Sequence, residues 1–266
     1  MENTDTDVHF TIVLSNGPVR PDGSLGQDGA IGADGLSGQP GVNSKEDDTG
    51  QPGKPGTETG IFKKKCTCAT DGTGGAHGKT GGNDGGDGGD GTSPPSLTLR
   101  VGTFDIPENS YLYIQGRGGN GGNGGDGGDG GNGDFGGKAG LNVDNCIEKG
   151  TCQPALGGKG GDGAPGGKGG KGGNAGNGGN ILIYYGNPKC IDQIVPFYEG
   201  GAPGNPGKPG DGGTGGKGGQ NETFPRNSKP TFASDGATGH QTGDGGGGST
   251  AKPGTYSASK IPPSSN

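Results

Sequence analysis

The side chains able to bind a metal or attack a substrate are few and widely separated. Cys66 and Cys68 stand one residue apart, with His77 the nearest histidine. A zinc site built on such a pair usually has a second close pair of ligands, and no second Cys-x-x-Cys pair is present. The three histidines are scattered in glycine-rich sequence, which gives no Ser, His and acid cluster. We therefore expect no metal, no cofactor and no catalytic residues, and we predict that the protein is not an enzyme.

Two glycine-rich stretches resemble ligand-binding loops. Residues 72–80 approach the phosphate-binding pattern G-x4-G-K-[ST], but Thr73 stands where that pattern needs glycine, and no strand and helix flank it. Residues 82–90, G-N-D-G-G-D-G-G-D, resemble calcium-binding nonapeptide repeats, but they lack the apolar residue that recurs in those repeats. We interpret these aspartates as solvent-exposed rows.

The cysteines favour crosslinks over catalysis. Cys146 and Cys152 can close a small loop between them and are our disulfide candidates, whereas Cys66 and Cys68 are too close to pair easily. Because the number of cysteines is five, at least one thiol stays free or bonds to another chain. An oligomer linked through an unpaired cysteine is therefore possible.

Composition excludes several classes of protein. Of 266 residues, 74 are Gly and 20 are Pro, and the hydrophobic fraction of 22% is in the range typical of disorder, which is the first alternative. The net charge of −7 comes with no basic stripe for nucleic acid, and no apolar run reaches the roughly 20 residues needed for membrane insertion. The acidic N-terminal sequence is not that of a signal peptide.

A strict period of three argues against disorder. Glycine recurs at every third position over residues 23–41, and fills two of every three positions over 116–136 and 157–180. A helix repeats at 3.6 residues and a strand at 2, whereas the polyproline II helix repeats at 3. The predicted fold class is thus an irregular, low-complexity chain: a bundle or sandwich of antiparallel left-handed polyglycine/polyproline II helices, with a few short β-strands forming a small core.

Short β-branched and aromatic runs predict those strands. They are residues 8–14, 97–101, 110–115, 181–185 and 194–198. We interpret 97–101 and 110–115 as a β-hairpin. The domain prediction is one glycine-rich domain over 1–248, followed by a disordered tail over 249–266.

Three irregular segments interrupt the glycine periodicity, at residues 57–71, 137–156 and 220–235. Loops held by a rigid scaffold are where binding usually takes place. The candidate binding residues in these loops are Phe62, Lys63, Lys64, Lys65, Asn145, Ile147, Glu148, Lys149, Phe224 and Arg226.

The periodic runs resemble proteins built on polyglycine II helices. The resemblance rests on residues 23–56, 72–91, 116–136, 157–180 and 201–219. One such group is the tail-fibre-tip adhesins of T-even-type phages, and another is the springtail antifreeze proteins. The adhesin resemblance implies a rigid, non-enzymatic scaffold that displays variable loops to a cell-surface protein or glycan receptor, or that joins a larger particle or fibre. It implies an extracellular, cell-surface or virion-associated location.

Two alternative functions remain. An antifreeze protein needs a flat, weakly hydrated face, whereas the outward rows here carry charged and strongly hydrated residues such as Asp126, Asp129, Lys168 and Lys171. A collagen-like trimeric structural protein needs glycine at every third residue, which the run over 23–41 provides, although it is short and poor in proline.

Overall fold

The structure, a computed structural model, describes residues 25–26, 29–43, 49–61 and 63–261. Its regular secondary structure is mainly β. The strands are β1 (Leu25–Gly26), β2 (Thr57–Thr59), β3 (Lys65–Thr67), β4 (Leu97–Thr103), β5 (Leu112–Gln115), β6 (Ile181–Asn187), β7 (Ile194–Phe197) and β8 (Tyr256–Lys260). Among the residues just given, the helices are α1 (Asp144–Glu148) and one 3-10 turn (Ile191–Gln193). None of the helices in this described part of the chain is long and apolar enough to cross a bilayer.

The strands form three sheets. One has the order β1-β5-β7, another β4-β6-β8, and in both of them all neighbours are parallel. The third is the antiparallel pair β2-β3. Pro196 lies in β7, at an edge of its sheet, where a residue without an N–H group is tolerated.

The two parallel sheets enclose one side-chain core. Its buried residues are Val101, Phe104, Ile106, Leu112, Ile114, Ile181, Ile183 and Ile194. Phe104 and Ile106 lie in the connection between β4 and β5, and they add apolar area that the strands alone do not supply. The core is therefore confined to the end of the molecule where the sheets lie.

Six glycine-rich segments extend from these sheets. We number them first to sixth in chain order: residues 29–56 (described except for 44–48), 70–92, 116–140, 157–180, 199–219 and 233–254. Each is extended and bonds to its neighbours through backbone N–H groups at every third residue. In the third segment, for example, the N–H groups of Gly122, Gly125 and Gly128 each donate to a carbonyl of the second segment at 2.8 Å.

The segments lie in two layers. The first, third and fifth segments run parallel in one layer, and the second, fourth and sixth run parallel in the other, while segments in facing layers run antiparallel. The chain changes layer at each connection, so neighbours within a layer always point the same way. This is why the strands that precede or follow the segments form parallel sheets.

Glycine is required where segments approach most closely. A Cβ built on Gly128 would lie 2.0 Å from the carbonyl oxygen of Gln39, and one on Gly122 would lie 2.0 Å from that of Ala33. Real Cβ atoms do not approach oxygen so closely, so no other residue fits without moving the backbone.

The predicted fold class is wrong. In the part of the chain that the structure describes, no bundle or sandwich of antiparallel left-handed polyglycine/polyproline II helices is found. The helices are α1 and one 3-10 turn, and the regular structure is β-sheet, mostly parallel. The prediction took the glycine periodicity as evidence for helices and treated the strands as minor. In the structure, strands continue the segments in register, and neighbours within a layer are parallel because of the layer alternation.

The predictions for individual elements had different outcomes. The strands over 97–101, 110–115, 181–185 and 194–198 are confirmed, with shifted ends. The predicted hairpin is wrong, because β4 pairs with β6, and β5 pairs with β1 and β7. The tail predicted to be disordered from residue 249 instead completes the sixth segment and forms β8. The predicted strand 8–14 and residues 262–266 lie outside the described residues.

Candidate functional site

The three irregular connections lie together at the end opposite the parallel sheets. Backbone hydrogen bonds define their limits, such as Gly56 N–H to the Leu141 carbonyl and Ala233 N–H to the Gly219 carbonyl, both at 2.9 Å. We call residues 57–69, 141–156 and 220–232 the distal loops. They include β2, β3 and α1.

Two disulfides join the first two distal loops. Cys66 bonds to Cys146, and Cys68 bonds to Cys152. The predicted pairing of Cys146 with Cys152 is therefore wrong, although both cysteines are crosslinked. Sequence proximity misled the prediction, since the loops meet only after the segments have packed. Cys190 is the free cysteine; it is half-buried, and its Sγ lies 3.6 Å from the Ile106 carbonyl oxygen.

A buried carboxylate, that of Glu222, joins the third distal loop to the second. It accepts hydrogen bonds from the Asn142 N–H at 2.6 Å, from Asn142 Nδ2 at 2.5 Å and from the Ala155 N–H at 2.9 Å. Arg226 Nη1 lies 3.2 Å from the same carboxylate, and Arg226 Nε donates to Asp144 Oδ1 at 2.8 Å. A buried charge with this many donors fixes the geometry of both loops.

Glu58 has a similar role in the first distal loop. It accepts a hydrogen bond from Lys64 Nζ at 3.2 Å and one from Asn145 Nδ2 at 2.5 Å. Partial burial opposes ionisation, but these hydrogen bonds prevail and hold the pKa of Glu58 below its ordinary value. Glu58 also lies within 4.8 Å of the sulfurs of Cys66 and Cys146, but both sulfurs are in a disulfide and are not available as thiolate ligands.

The candidate binding residues thus divide into two groups. Asn145 and Arg226 join neighbouring loops through the bonds just described, and Lys64 bonds to Glu58 within the first loop. The other described candidates face solvent at least in part: Lys63, Lys65, Glu148 and Lys149 are exposed, and Ile147 and Phe224 are half-buried. Phe62 lies outside the described residues.

Outward Asn and Asp side chains have a role that the sequence analysis missed. Within each layer they accept hydrogen bonds from backbone N–H groups of the next segment, and we call these lines of side chains acceptor rows. In the first layer the third segment bonds to the fifth in this way: Asn120 to Ala202, Asn123 to Asn205, Asp126 to Lys208, Asp129 to Asp211 and Asn132 to Thr214. Asp84, Asp87 and Asp90, which were interpreted as solvent-exposed, are exposed and also accept the N–H groups of Lys168, Lys171 and Asn174.

The acceptor row of the third segment stops short of the distal loops. The next two outward positions after Asn132 hold Phe135 and Lys138, neither of which has a side-chain acceptor. A groove of about 930 Å³ opens at this point. Its lining residues are Thr49, Gly50, Pro52, Phe135, Gly136, Gly137, Lys138, Lys217, Gly218, Gly219, Gln220, Phe232 and Asp235. The break in the Asn and Asp pattern was the sequence signal that could have identified it.

The walls of the groove are aromatic and its floor is backbone. Phe135 is 56% exposed and Phe232 is 62% exposed, whereas the glycines between them are buried and present no side chain. Large apolar side chains grouped at a concave surface are typical of binding sites. The groove and the distal loops together form the candidate functional site.

Comparisons with known proteins identify no family for this chain. No family model and no curated protein matches the chain. A solved structure similar to this chain is a nine polyproline type II helical bundle antifreeze protein from the springtail Granisotoma rainieri, at 22% identity, covering 83% of this chain and 98% of that chain, with a TM-score of 0.14. A score this low supports no conclusion on fold or function. The resemblance to phage adhesins finds no support among the family models or the curated proteins.

Proposed function

We propose that this protein is a non-enzymatic recognition module that binds a partner on a surface through its distal end. The observation that carries the proposal is the gathering of all three irregular connections at one end, where two disulfides and the Glu222 carboxylate hold them. Loops fixed on a rigid support lose little conformational entropy on binding. Exposed Lys63, Lys65 and Lys149 at that end are candidates for contact with the partner.

The outer edges of the layers are poorly suited to bind a partner, which favours the distal end as the contact surface. In the third segment Gly121, Gly124 and Gly127 donate N–H groups to the fifth. The register between these segments is 82 residues, so the corresponding residues over the first half of the fifth segment's outer edge are prolines, which have no N–H group to donate. They are Pro203, Pro206 and Pro209.

The edge of the second layer is closed by side chains instead. A register of 75 residues relates the fourth segment to the sixth, and it assigns side-chain-bearing residues to three successive edge positions of the sixth segment. Those positions hold Thr238, Gln241 and Asp244. A further segment cannot approach closely where a Cβ stands, so these parts of the two edges disfavour lateral growth into a fibre.

The proposed partner is a cell-surface protein or glycan, or a larger particle that carries the module. Two disulfides are typical of proteins in oxidising surroundings, which agrees with an extracellular, cell-surface or virion-associated location. A collagen-like trimer is less well supported, because N–H groups of the first segment, such as those of Gly32 and Gly35, already have partners within the same chain.

Fluorescently labelled protein, tested on a panel of bacterial and animal cells, checks the proposal. The loop variant Lys63→Glu/Lys65→Glu/Lys149→Glu is expected to lose most attachment to any cell that the unmodified protein binds. The charge-matched control Lys54→Glu/Lys208→Glu/Lys252→Glu changes exposed lysines outside the distal loops and is expected to attach normally. Equal attachment of the loop variant, or no attachment of the unmodified protein to any cell in the panel, contradicts the proposal.

A further inference from the structure

We propose that the groove between Phe135 and Phe232 binds a carboxylate-bearing sugar ring. This inference rests on the proposed recognition function, since it names the ligand class for one part of the candidate site. Three independent features of the groove converge on it: a backbone donor without an acceptor, two lysine side chains, and a pair of exposed aromatic rings.

The unmatched donor is the N–H group of Lys217. Side chains of the third segment accept the N–H groups of residues 82 positions later, and the last such pair is Asn132 with Thr214, at 2.8 Å. The next pair in register is Phe135 with Lys217, and phenylalanine has no acceptor. Among the hydrogen bonds of the described residues, none takes the Lys217 N–H. A ligand carboxylate can occupy the position that an Asn or Asp side chain holds elsewhere in the row.

The charges at the rim favour an anion. Lys138 and Lys217 are both exposed beside the groove, and neither has an ion pair among the salt bridges of the described residues. Asp235 is the acidic residue of the lining, and its Oδ1 accepts the Gly218 N–H at 2.9 Å. The lining of the groove thus carries two lysines and one aspartate, on a chain whose net charge is −7. A ligand carboxylate can accept a hydrogen bond from the Lys217 N–H there and can form an ion pair with a lysine ammonium group.

The aromatic rings and the bare floor favour a ring-shaped ligand. Phe135 and Phe232 offer exposed apolar faces, against which the C–H face of a sugar can pack. Gly136, Gly137 and Gly218 line the groove with backbone and add no side chain to its floor. Gln220 supplies an amide at the rim that can bond to hydroxyl groups.

Titration of ¹⁵N-labelled protein with glucuronic acid and with N-acetylneuraminic acid tests the proposal, with glucose as the neutral control. Both acids are expected to shift the Lys217 amide resonance at concentrations where glucose does not, and binding is expected to weaken as salt is raised. An equal response to glucose, or a response to both acids that spares the groove, overturns the proposal. A Lys217 shift produced by an acidic peptide but by neither sugar acid also overturns it.

The variant Phe135→Asn separates loss of binding from loss of folding. It supplies the missing acceptor for the Lys217 N–H and removes one ring, so it is expected to fold and to bind the sugar acids at least tenfold more weakly. The control Lys208→Asn alters a lysine whose N–H already donates to Asp126, and its binding is expected to be unchanged. Unweakened binding by Phe135→Asn contradicts the assignment. If the sugar acids fail while the loop variant still loses cell attachment, only this inference falls and the recognition function stands.

Discussion

At the residue scale, glycine is required where two backbones approach closely, and it is not required at every position that it occupies. A Cβ on Gly128 would lie 2.0 Å from a carbonyl oxygen, whereas one on Gly243 would meet nothing within 4 Å. Gly128 lies in the third segment, between its neighbours in the two layers, and Gly243 lies at the outer face of the sixth segment. The same residue type therefore has a structural role at one position and none at the other.

The substitution Gly128→Ala is expected to lower the free energy of unfolding by about 3 kcal/mol, because the backbones on either side must separate. Gly243→Ala is expected to raise it by about 0.5 kcal/mol, because alanine restricts the unfolded chain. Urea denaturation of both variants checks this. Similar effects for the two would contradict the close packing described for the third segment.

Asp162 is expected to make the stability of the fold depend on pH. The Ala237 N–H donates to its carboxylate at 2.7 Å and Lys159 Nζ at 3.1 Å, and these bonds lower the pKa of Asp162 below its ordinary value of 3.8. Since the folded-state pKa is the lower one, the stabilisation is complete above pH 3.8 and is lost as the pH falls through the folded-state pKa.

Asp162→Asn is expected to flatten the fall of the melting temperature below pH 3.8. Asparagine keeps an acceptor for the Ala237 N–H, and it has no proton to take up. Thermal melts between pH 2 and pH 7 provide the measurement. A variant whose acid dependence equals that of the unmodified protein would show that Asp162 is not linked to folding.

At the scale of elements, the acceptor row of the fourth segment has its own interruption. Asn174 accepts the Ser249 N–H and Asn177 accepts the Lys252 N–H, in a register of 75 residues. In the same register, Lys168 and Lys171 stand opposite Gly243 and Gly246 and offer no acceptor. The sixth segment is therefore held less firmly in its middle than at its end.

The double variant Lys168→Asn/Lys171→Asn is expected to complete this row and to raise the free energy of unfolding by about 1 kcal/mol for each bond gained. The control Lys54→Asn/Lys208→Asn removes the same charge at residues whose own N–H groups already donate, to Thr70 Oγ1 and to Asp126 Oδ1, and it completes no acceptor row. Chemical denaturation compares the two. Equal stability changes in both variants would show that charge, and not the acceptor row, is responsible.

The elements also show what sequence reasoning can reach. The strands around Leu99 and Ile183 were predictable because β-branched and aromatic runs are rare in this chain and stand out locally. Their partners were not predictable, since parallel pairing joins residues far apart in sequence and depends on how the segments alternate between layers. The groove at Phe135 was missed for the same reason, because an acceptor row becomes visible only when its register to Lys217 is known.

At the scale of the whole molecule, one end is stabilised by an apolar core and the other by disulfides, and backbone hydrogen bonds between the segments connect the two ends. The apolar core lies at the sheets, and the disulfides lie at the distal loops. The disulfides close chain separations of 80 and 84 residues. Long closures restrict the unfolded chain strongly, which compensates for a small side-chain core.

Reduction of both disulfides is expected to lower the free energy of unfolding by about 4 kcal/mol for the first loop and by less for the second, because the two bonds close nearly the same stretch of chain. Cys66→Ala/Cys146→Ala and Cys68→Ala/Cys152→Ala separate the two contributions. Thermal melts with and without reductant supply the measurement, and Cys190→Ala is the control that leaves both bonds intact. Melting temperatures unaffected by reductant would contradict a stabilising role for these crosslinks.

The central claim is that glycine N–H groups bond between segments and so make a rigid support for the distal loops. Residue-resolved amide hydrogen exchange tests it most directly. Strong protection is predicted for the amides of Gly122, Gly125 and Gly128, whose N–H groups donate to carbonyls of the second segment. Fast exchange is predicted for Gly243 and Gly246, whose N–H groups donate to no backbone carbonyl among the described residues. Uniformly fast exchange across all five glycines would contradict it.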